Sequence, residues 1–391
     1  MVKMIDDPLL AWRGEFPILS TITHLSAHST GPMPQGARDW LRRFGDEWSA
    51  QAEKAWAGWG TYLLDHAARI GSLIGAPWDA ITFHTNVSTL ASILLSAIFQ
   101  PGGRRKIITT DLNFPSVTYN FQMYRDLGLH LEMLESPDRI GIPLEAWRRA
   151  IDKDTLAVVV DHGIFRSGCV QDVRAIADMA HEHGALAIAD AYQTTGVVPY
   201  DVKDWDADVV LGGSLKWLCG GPGAAWMYVR PTLIEQMQPR IVGWFSHARP
   251  FKFEIDMEFA HTATRFATGT PNIAPLYAAR AGLEIILQIG VRAIRQKSLR
   301  LTQRIIELAD ARGFQINTPR EPERRGGMVC VNFPGAQKAE RKLIDRGLMV
   351  DFRPKTGIRI SPHFYTRMEE IERLFVEIDD IQKEGHESTH W

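Results

Sequence analysis

Between Ile81 and Leu211 the chain repeats one unit: a short apolar run, a longer stretch with apolar residues at helical spacing, and then a polar or glycine-rich break. Ile81-Thr82-Phe83 reads as a strand, and Leu90, Ile93, Leu94 and Ala97 after it fall on one face of a helix. Another strand is expected over 106–109, with a helix over 114–127 closed by Gly128. Leu156-Ala157-Val158-Val159-Val160 is a continuous, mostly β-branched run, the pattern of a strand buried on both faces. Val173, Ile176, Ala177 and Ala180 line the next helix, which Gly184 ends. A strand over 186–189 ends at Asp190, and Val209-Val210-Leu211 ends at Gly212. Parallel strands need a crossover of a dozen or more residues, usually a helix, and this alternation supplies one each time. The expected fold is α/β, a mostly parallel central sheet sandwiched by helices. Ligands of such sheets gather at the carboxyl ends of the strands.

After about Pro271 the texture changes. A long helix carries Leu301, Ile305 and Leu308 on one face, a charged loop rich in Pro and Gly covers 319–327, and a strand is expected over 328–333. The chain finishes on a helix with a capping box, Thr366 and Glu369, and a face of Ile371, Leu374, Phe375 and Ile378. A chain of 391 residues suits a large domain with a smaller companion. We expect residues 56–275 to form the large domain. Residues 276–391 should form a small α+β domain, joined by an N-terminal segment, 1–55.

Composition narrows the partners. The formal net charge is −2, with no basic footprint for nucleic acid or an anionic membrane. No apolar run reaches the roughly 18 residues a spanning helix needs, and the charged start, with Asp6, Asp7, Arg13 and Glu15, is not a signal peptide. The three cysteines, Cys169, Cys219 and Cys330, are odd in number and lack metal-ligand spacing. A cytoplasmic protein without disulfides and without a metal site is expected.

The segment Gly212-Gly213-Ser214-Leu215-Lys216-Trp217-Leu218-Cys219-Gly220-Gly221-Pro222-Gly223 puts a lysine at the mouth of a buried strand and follows it with a tight glycine loop. A partly desolvated lysine loses preference for its charged form and becomes a usable amine nucleophile. Schiff-base chemistry, above all with pyridoxal phosphate, is the commonest use of such an amine. That cofactor also needs an anionic partner for its pyridine nitrogen, a donor-rich cradle for its phosphate and a flat group against its ring. Asp190, ending a strand two elements before the lysine, suits the first, although alone it is equally a strand terminator. The helix start Thr85-Asn86-Val87-Ser88-Thr89 offers free backbone N–H groups and hydroxyls for the second, and alone is equally an N-cap cluster. Phe114, in Asn113-Phe114-Pro115-Ser116, suits the third, although a lone Phe is more often core.

These stretches together resemble the class V aminotransferase group of fold-type I pyridoxal phosphate enzymes, and within it kynureninase. The resemblance also runs through Asp161 with Phe165-Arg166-Ser167-Gly168, Asp190-Ala191-Tyr192-Gln193, Gly243-Trp244-Phe245-Ser246-His247, Gly269-Thr270-Pro271-Asn272 and Arg359-Ile360-Ser361-Pro362. It implies that Lys216 forms the Schiff base, Asp190 pairs with the pyridine nitrogen, Phe114 stacks on the ring, and Thr85 and Asn86 hold phosphate. Gln193 and Ser214 complete the cofactor set. The resemblance further implies a homodimer in which Trp244 and Thr270 reach the neighbouring subunit's phosphate. Arg359 would clamp the α-carboxylate of an amino-acid substrate, and His28 would approach the same substrate. His162 and His247 are further pocket candidates, although isolated histidines are more often structural.

Three positions depart from the kynureninase pattern. Val117 stands where an aspartate is usual, Gln193 where a histidine is, and Leu215 where a tyrosine precedes the lysine. Losing that phenol removes an acid–base group from the reacting face. The readings left open are kynureninase-like Cβ–Cγ hydrolysis, β-elimination, transamination or epimerisation, and a catalytically silent binding protein of the same fold. Cysteine desulfuration, which needs a mobile nucleophilic thiol, is disfavoured because Cys330 falls inside an apolar strand.

Overall fold

A computed structural model describes residues 7–387. The N-terminal segment contributes one short strand, β1 (Thr23–His24). The large sheet follows, with β2 (Ile81–His84), β3 (Lys106–Thr110), β4 (His130–Leu134), β5 (Thr155–Asp161), β6 (Leu186–Asp190), β7 (Val209–Gly213) and β8 (Ala225–Val229). Their spatial order is β2-β8-β7-β6-β5-β3-β4, and β8 alone runs antiparallel to its neighbours. Every residue of β3, β7 and β8 is buried, so both faces of the sheet centre are covered. The helix Val87–Ile98 packs on β7 and β8, and the helix Val173–Glu182 on β5 and β6. The residues read as their inner faces are buried, including Leu90, Ile93, Ile176 and Ala177.

Two strands of the large sheet escaped the sequence reading. β4 is an edge strand with an exposed start, and its His-Leu-Glu-Met-Leu sequence does not carry a β-branched signal. β8 follows β7 through the glycine loop and returns antiparallel as a hairpin partner, a step the helix–strand alternation does not announce.

The C-terminal part builds a second sheet from β9 (Gln315–Ile316), β10 (Val329–Asn332), β12 (Asp351–Arg353) and β13 (Gly357–Ile360), antiparallel in the order β12-β13-β10-β9. The strand β11 (Leu348–Met349) instead pairs in parallel with β1. A separate core forms there from Leu301, Ile305, Val329, Ile358, Leu374 and Phe375, and Leu25 of the N-terminal segment packs into it. The helix Ala274–Ile289 goes the other way: its Leu283 and Ile286 join the large core, although the expected boundary at 275 left them outside. The last helix, Met368–Glu387, buries the expected face, but its start differs from the capping box read in the sequence. The Thr366 hydroxyl accepts from the His363 N–H, and Glu370 rather than Glu369 accepts from the Arg367 N–H. Among the described residues, no helix is long and apolar enough to cross a membrane.

Candidate active site

The carboxyl ends of β3, β5, β6 and β7 converge on one cleft, and each delivers a functional side chain within a few residues of its end. Phe114 follows β3, Asp161 and Asp190 are the last residues of β5 and β6, and Lys216 lies three residues past β7. Asn86 and Ser88, at the start of the helix after β2, close the same cleft. Connections run outward in opposite senses from β3 and β5, which makes this the topological switch point where open α/β sheets bind ligands.

The lysine is held by its neighbours' backbone. Its carbonyl accepts from the Cys219 N–H at 3.0 Å, Gly220 donates to the Ser214 carbonyl at 2.7 Å, and Gly31 donates to the Leu215 carbonyl at 2.8 Å. Gly31 must be glycine here, because a Cβ would collide with the Lys216 carbonyl oxygen and come 2.8 Å from the Cys219 Cα. His363 anchors the loop from the far side through its Nε2 and the Trp217 carbonyl, 2.8 Å apart. The amine itself is bracketed by two rings, with Tyr192 centred 4.6 Å and Phe114 centred 5.4 Å from Nζ. Burial brings its pKa down from 10.5 to about 8, with the Arg359 charge assisting and Asp190 and Asp161 opposing.

Asp190 and Asp161 are register partners on adjacent strands, and both are buried. The Asp190 Oδ1 accepts from the Tyr192 N–H at 2.9 Å. Burial raises its pKa, while that N–H and Lys216 pull it back. Asp161 is raised well above the carboxylate range, first by burial and then by repulsion from Asp190, and its Oδ2 has no hydrogen-bond partner. The floor of the cleft therefore carries two adjacent carboxyl groups, both raised by burial, with Asp161 pushed further by the charge of Asp190. A protonated pyridine nitrogen satisfies Asp190, and that donor requirement is what a pyridoxal ring presents. Gln193 donates through Nε2 to the His28 carbonyl at 3.2 Å and lines the cleft.

At the helix-start end of the cleft, Asn86 caps the helix by accepting from the Thr89 N–H at 2.9 Å. The first N–H groups of that helix, at Val87 and Ser88, have no intrahelical partner, the arrangement that suits an anion. Thr85 lies just outside, exposed, accepting from the Asn86 side chain at 3.3 Å. The Ser214 hydroxyl is buried behind the lysine and has no partner.

Other expected residues are not among those lining this cleft. Arg359 is buried with its Nε on the Asp351 carboxylate at 2.6 Å, its Nη2 on the same oxygen and its Nη1 on the Phe165 carbonyl at 2.8 Å. Of five N–H donors those bonds engage three, which leaves two for a further carboxylate. His28 is buried behind it, with Nδ1 against the Ser361 hydroxyl and Nε2 3.6 Å from Asp351; burial depresses its pKa to about 3. Trp244 packs among Trp56, Phe245, Phe251 and Phe253, and Thr270 is exposed; neither lines the Lys216 cleft of its own chain. His162 is packed edge-on against Trp205, and His247 organises its own loop by accepting from the Arg249 N–H. All three cysteines are buried, and burial lifts the Cys330 thiol to about 12. Among the described residues, no cluster of His, Cys, Asp and Glu could hold a metal ion.

Tyr192 is the residue the sequence reading passed over, quoted in a motif but given no part. The signal was present: it stands two positions past a strand-ending carboxylate, where ligands of such sheets gather.

A buried amine, a strand-end carboxylate, an aromatic wall and a helix start at the switch point define a fold-type I pyridoxal phosphate enzyme, and these residues fit that cofactor. The sequence profile of the aminotransferase class-V family matches residues 63–374, and the chain belongs to that family. It is 31% identical to the uncharacterized aminotransferase YcbU of Bacillus subtilis (strain 168), over 94% of this chain and 96% of that protein. It is also 31% identical to the kynureninase of Pseudomonas fluorescens, over 93% and 90% of the two chains. Among solved structures, a cysteine desulfurase from Thermococcus onnurineus NA1 superimposes with a TM-score of 0.87, at 22% identity over 97% of this chain and 99% of that one. The cystine C–S lyase C-DES superimposes with 0.85, at 19% identity over 93% and 99%. At these identities the structures speak for the fold alone.

Proposed function

We propose that this enzyme acts on an α-amino acid and cleaves its side chain, either by kynureninase-like Cβ–Cγ hydrolysis or by β-elimination. The observation that carries the reading is Lys216: a desolvated amine between two aromatic rings with a strand-end carboxylate opposite. Bound pyridoxal phosphate supplies an electron sink for a carbanion at the substrate Cα. The chain's own residues do the rest. Lys216 Nζ takes the Cα proton, Asp190 keeps the ring nitrogen charged, and the start of the helix Val87–Ile98 holds the phosphate. The two uncommitted N–H groups of Arg359 receive the substrate α-carboxylate, oriented by Asp351.

Similarity to a kynureninase favours hydrolysis, and Val117 and Leu215 weigh against it by withholding polar groups from the reacting face. Desulfuration is disfavoured because no cysteine is exposed. We further propose a homodimer that brings Trp244 and Thr270 to the partner's phosphate. The exposed Phe251, Phe253 and Ile255 beside Trp244 give such an interface its apolar surface.

A visible-range spectrum tests the cofactor. The purified protein should show a band that borohydride abolishes and that Lys216→Ala lacks. L-kynurenine, its 3-hydroxy form and S-substituted cysteines then separate the reactions by anthranilate or pyruvate release. Formation of keto acid and aminated cofactor alone would overturn the cleavage reading in favour of transamination.

A further inference from the structure

Position 215 offers leucine on the reacting face, yet the cleft is not short of a phenol. Tyr192 enters it from the loop after β6, its ring centred 4.6 Å from Lys216 Nζ against 5.4 Å for Phe114. Its placement is built into two other segments. The phenol lies across Gly213: a Cβ there would come within 2.7 Å of the Tyr192 hydroxyl and 2.6 Å of two ring carbons, so only glycine leaves the slot open. The Leu215 backbone N–H faces the hydroxyl and works against the rise in its pKa. Burial and Asp190 keep this group a phenol, raised to about 12. The charged and titratable groups around the amine are Asp190, Asp161, Arg359, His28 and Tyr192. Asp190 is committed to the ring nitrogen, Asp161 lies on the floor beside it, Arg359 cannot release a proton near neutral pH, and His28, held against the Ser361 hydroxyl with its pKa depressed to about 3, is not an imidazolium acid there.

We propose that Tyr192 is a catalytic residue of this site, whose ring steadies the Lys216 amine and whose hydroxyl performs the proton transfer for which position 215 has no group. This rests on the pyridoxal phosphate reading above. The transfer balances without an outside reagent. The Tyr192 O–H bond breaks as its proton passes to the substrate atom that gains hydrogen. The resulting oxygen anion recovers a proton from Lys216 Nζ, which carries the one removed from the substrate carbon. No electrons change hands between enzyme and substrate.

Tyr192→Phe keeps the ring and removes the hydroxyl, while Tyr192→Leu removes both. In the cofactor-free protein, the pH dependence of Lys216 acylation reports the ring alone. Tyr192→Phe should leave the inflection in place, and Tyr192→Leu should lower it by about half a unit, because an amine over an aromatic face gains from the ring. In the holoenzyme, Tyr192→Phe should retain the cofactor band and amino-acid affinity but lose about 100-fold in kcat, the usual scale of a positioned acid–base group. Adding Leu215→Tyr to Tyr192→Phe should recover about tenfold of that loss by returning a phenol from the other side. An unchanged kcat in Tyr192→Phe would overturn the proton role, as would loss of the cofactor band in that variant. An unmoved Lys216 inflection in Tyr192→Leu would overturn the contact itself. Absence of the band in the unaltered protein is a separate failure, that of the cofactor assignment, and the acylation measurement still decides the contact.

Discussion

Trace acetylation of the cofactor-free protein, from about pH 6 to about pH 11, measures the neutral fraction of each lysine. With a pKa of about 8, Lys216 is neutral in roughly a tenth of molecules at pH 7, against roughly 0.03% for a lysine at 10.5, a ratio of about 300. The 2.5-unit difference corresponds to about 3 kcal/mol of lost preference for the charged form. Desolvation is the largest cause, and Asp190 works against it by favouring the ammonium. Asp190→Asn should therefore move the inflection further down, by about one unit, the scale a close charge exerts. Peptide mass spectrometry reads the Lys216 label against that of Lys383, whose side chain is 74% exposed. An inflection near 10 would refute the argument that this loop desolvates the amine. An upward move in Asp190→Asn would refute the charge reasoning.

Asp161→Asn should stabilise the cofactor-free protein increasingly as pH rises. A carboxyl raised in the folded state binds its proton more tightly there than in the unfolded chain, so stability falls as pH climbs past the unfolded value near 4, by up to about 1.4 kcal/mol per unit. Urea midpoints at about pH 5 and pH 8 check this, and a gap that shrinks with pH would oppose it. Arg359→Lys keeps the charge but loses the planar fork, and should weaken amino-acid binding at least about tenfold in spectral titrations while sparing the cofactor band. Ile188→Ala, in the middle of β6 at 1% exposure, should cost about 2–5 kcal/mol by denaturant unfolding with the spectrum of the surviving holoenzyme unaltered.

Most strands and helices between Ile81 and Leu211 were legible because they rest on local periodicity, which burial enforces within each element. The chemistry was legible for a related reason. Ligands of such a sheet bind where strands end, so Asp190, Lys216 and Phe114 could be found by their distance from a strand end alone. Shorter-range signals misled at the last helix, where the acceptor that caps the turn is one residue later than the pattern implied. The edge strand β4 was invisible because half its residues face outward and need no apolar pattern.

What the tertiary structure decided are contacts between segments far apart in the chain. The pairing of Asp161 with Asp190 follows from the register of β5 on β6, and that register raises Asp161 beyond what burial alone does. Asp351 holds Arg359 locally, and the Phe165 carbonyl ties it from the second sheet to the segment after β5 across 194 residues. Tyr192 acquires a meaning only when Gly213 and Leu215, on another strand's end, leave room for its phenol beside the lysine. Sequence spacing thus determined which groups reach the cleft. Cross-strand register and burial, which no local pattern encodes, decided which of them are charged, which are engaged and which face the amine.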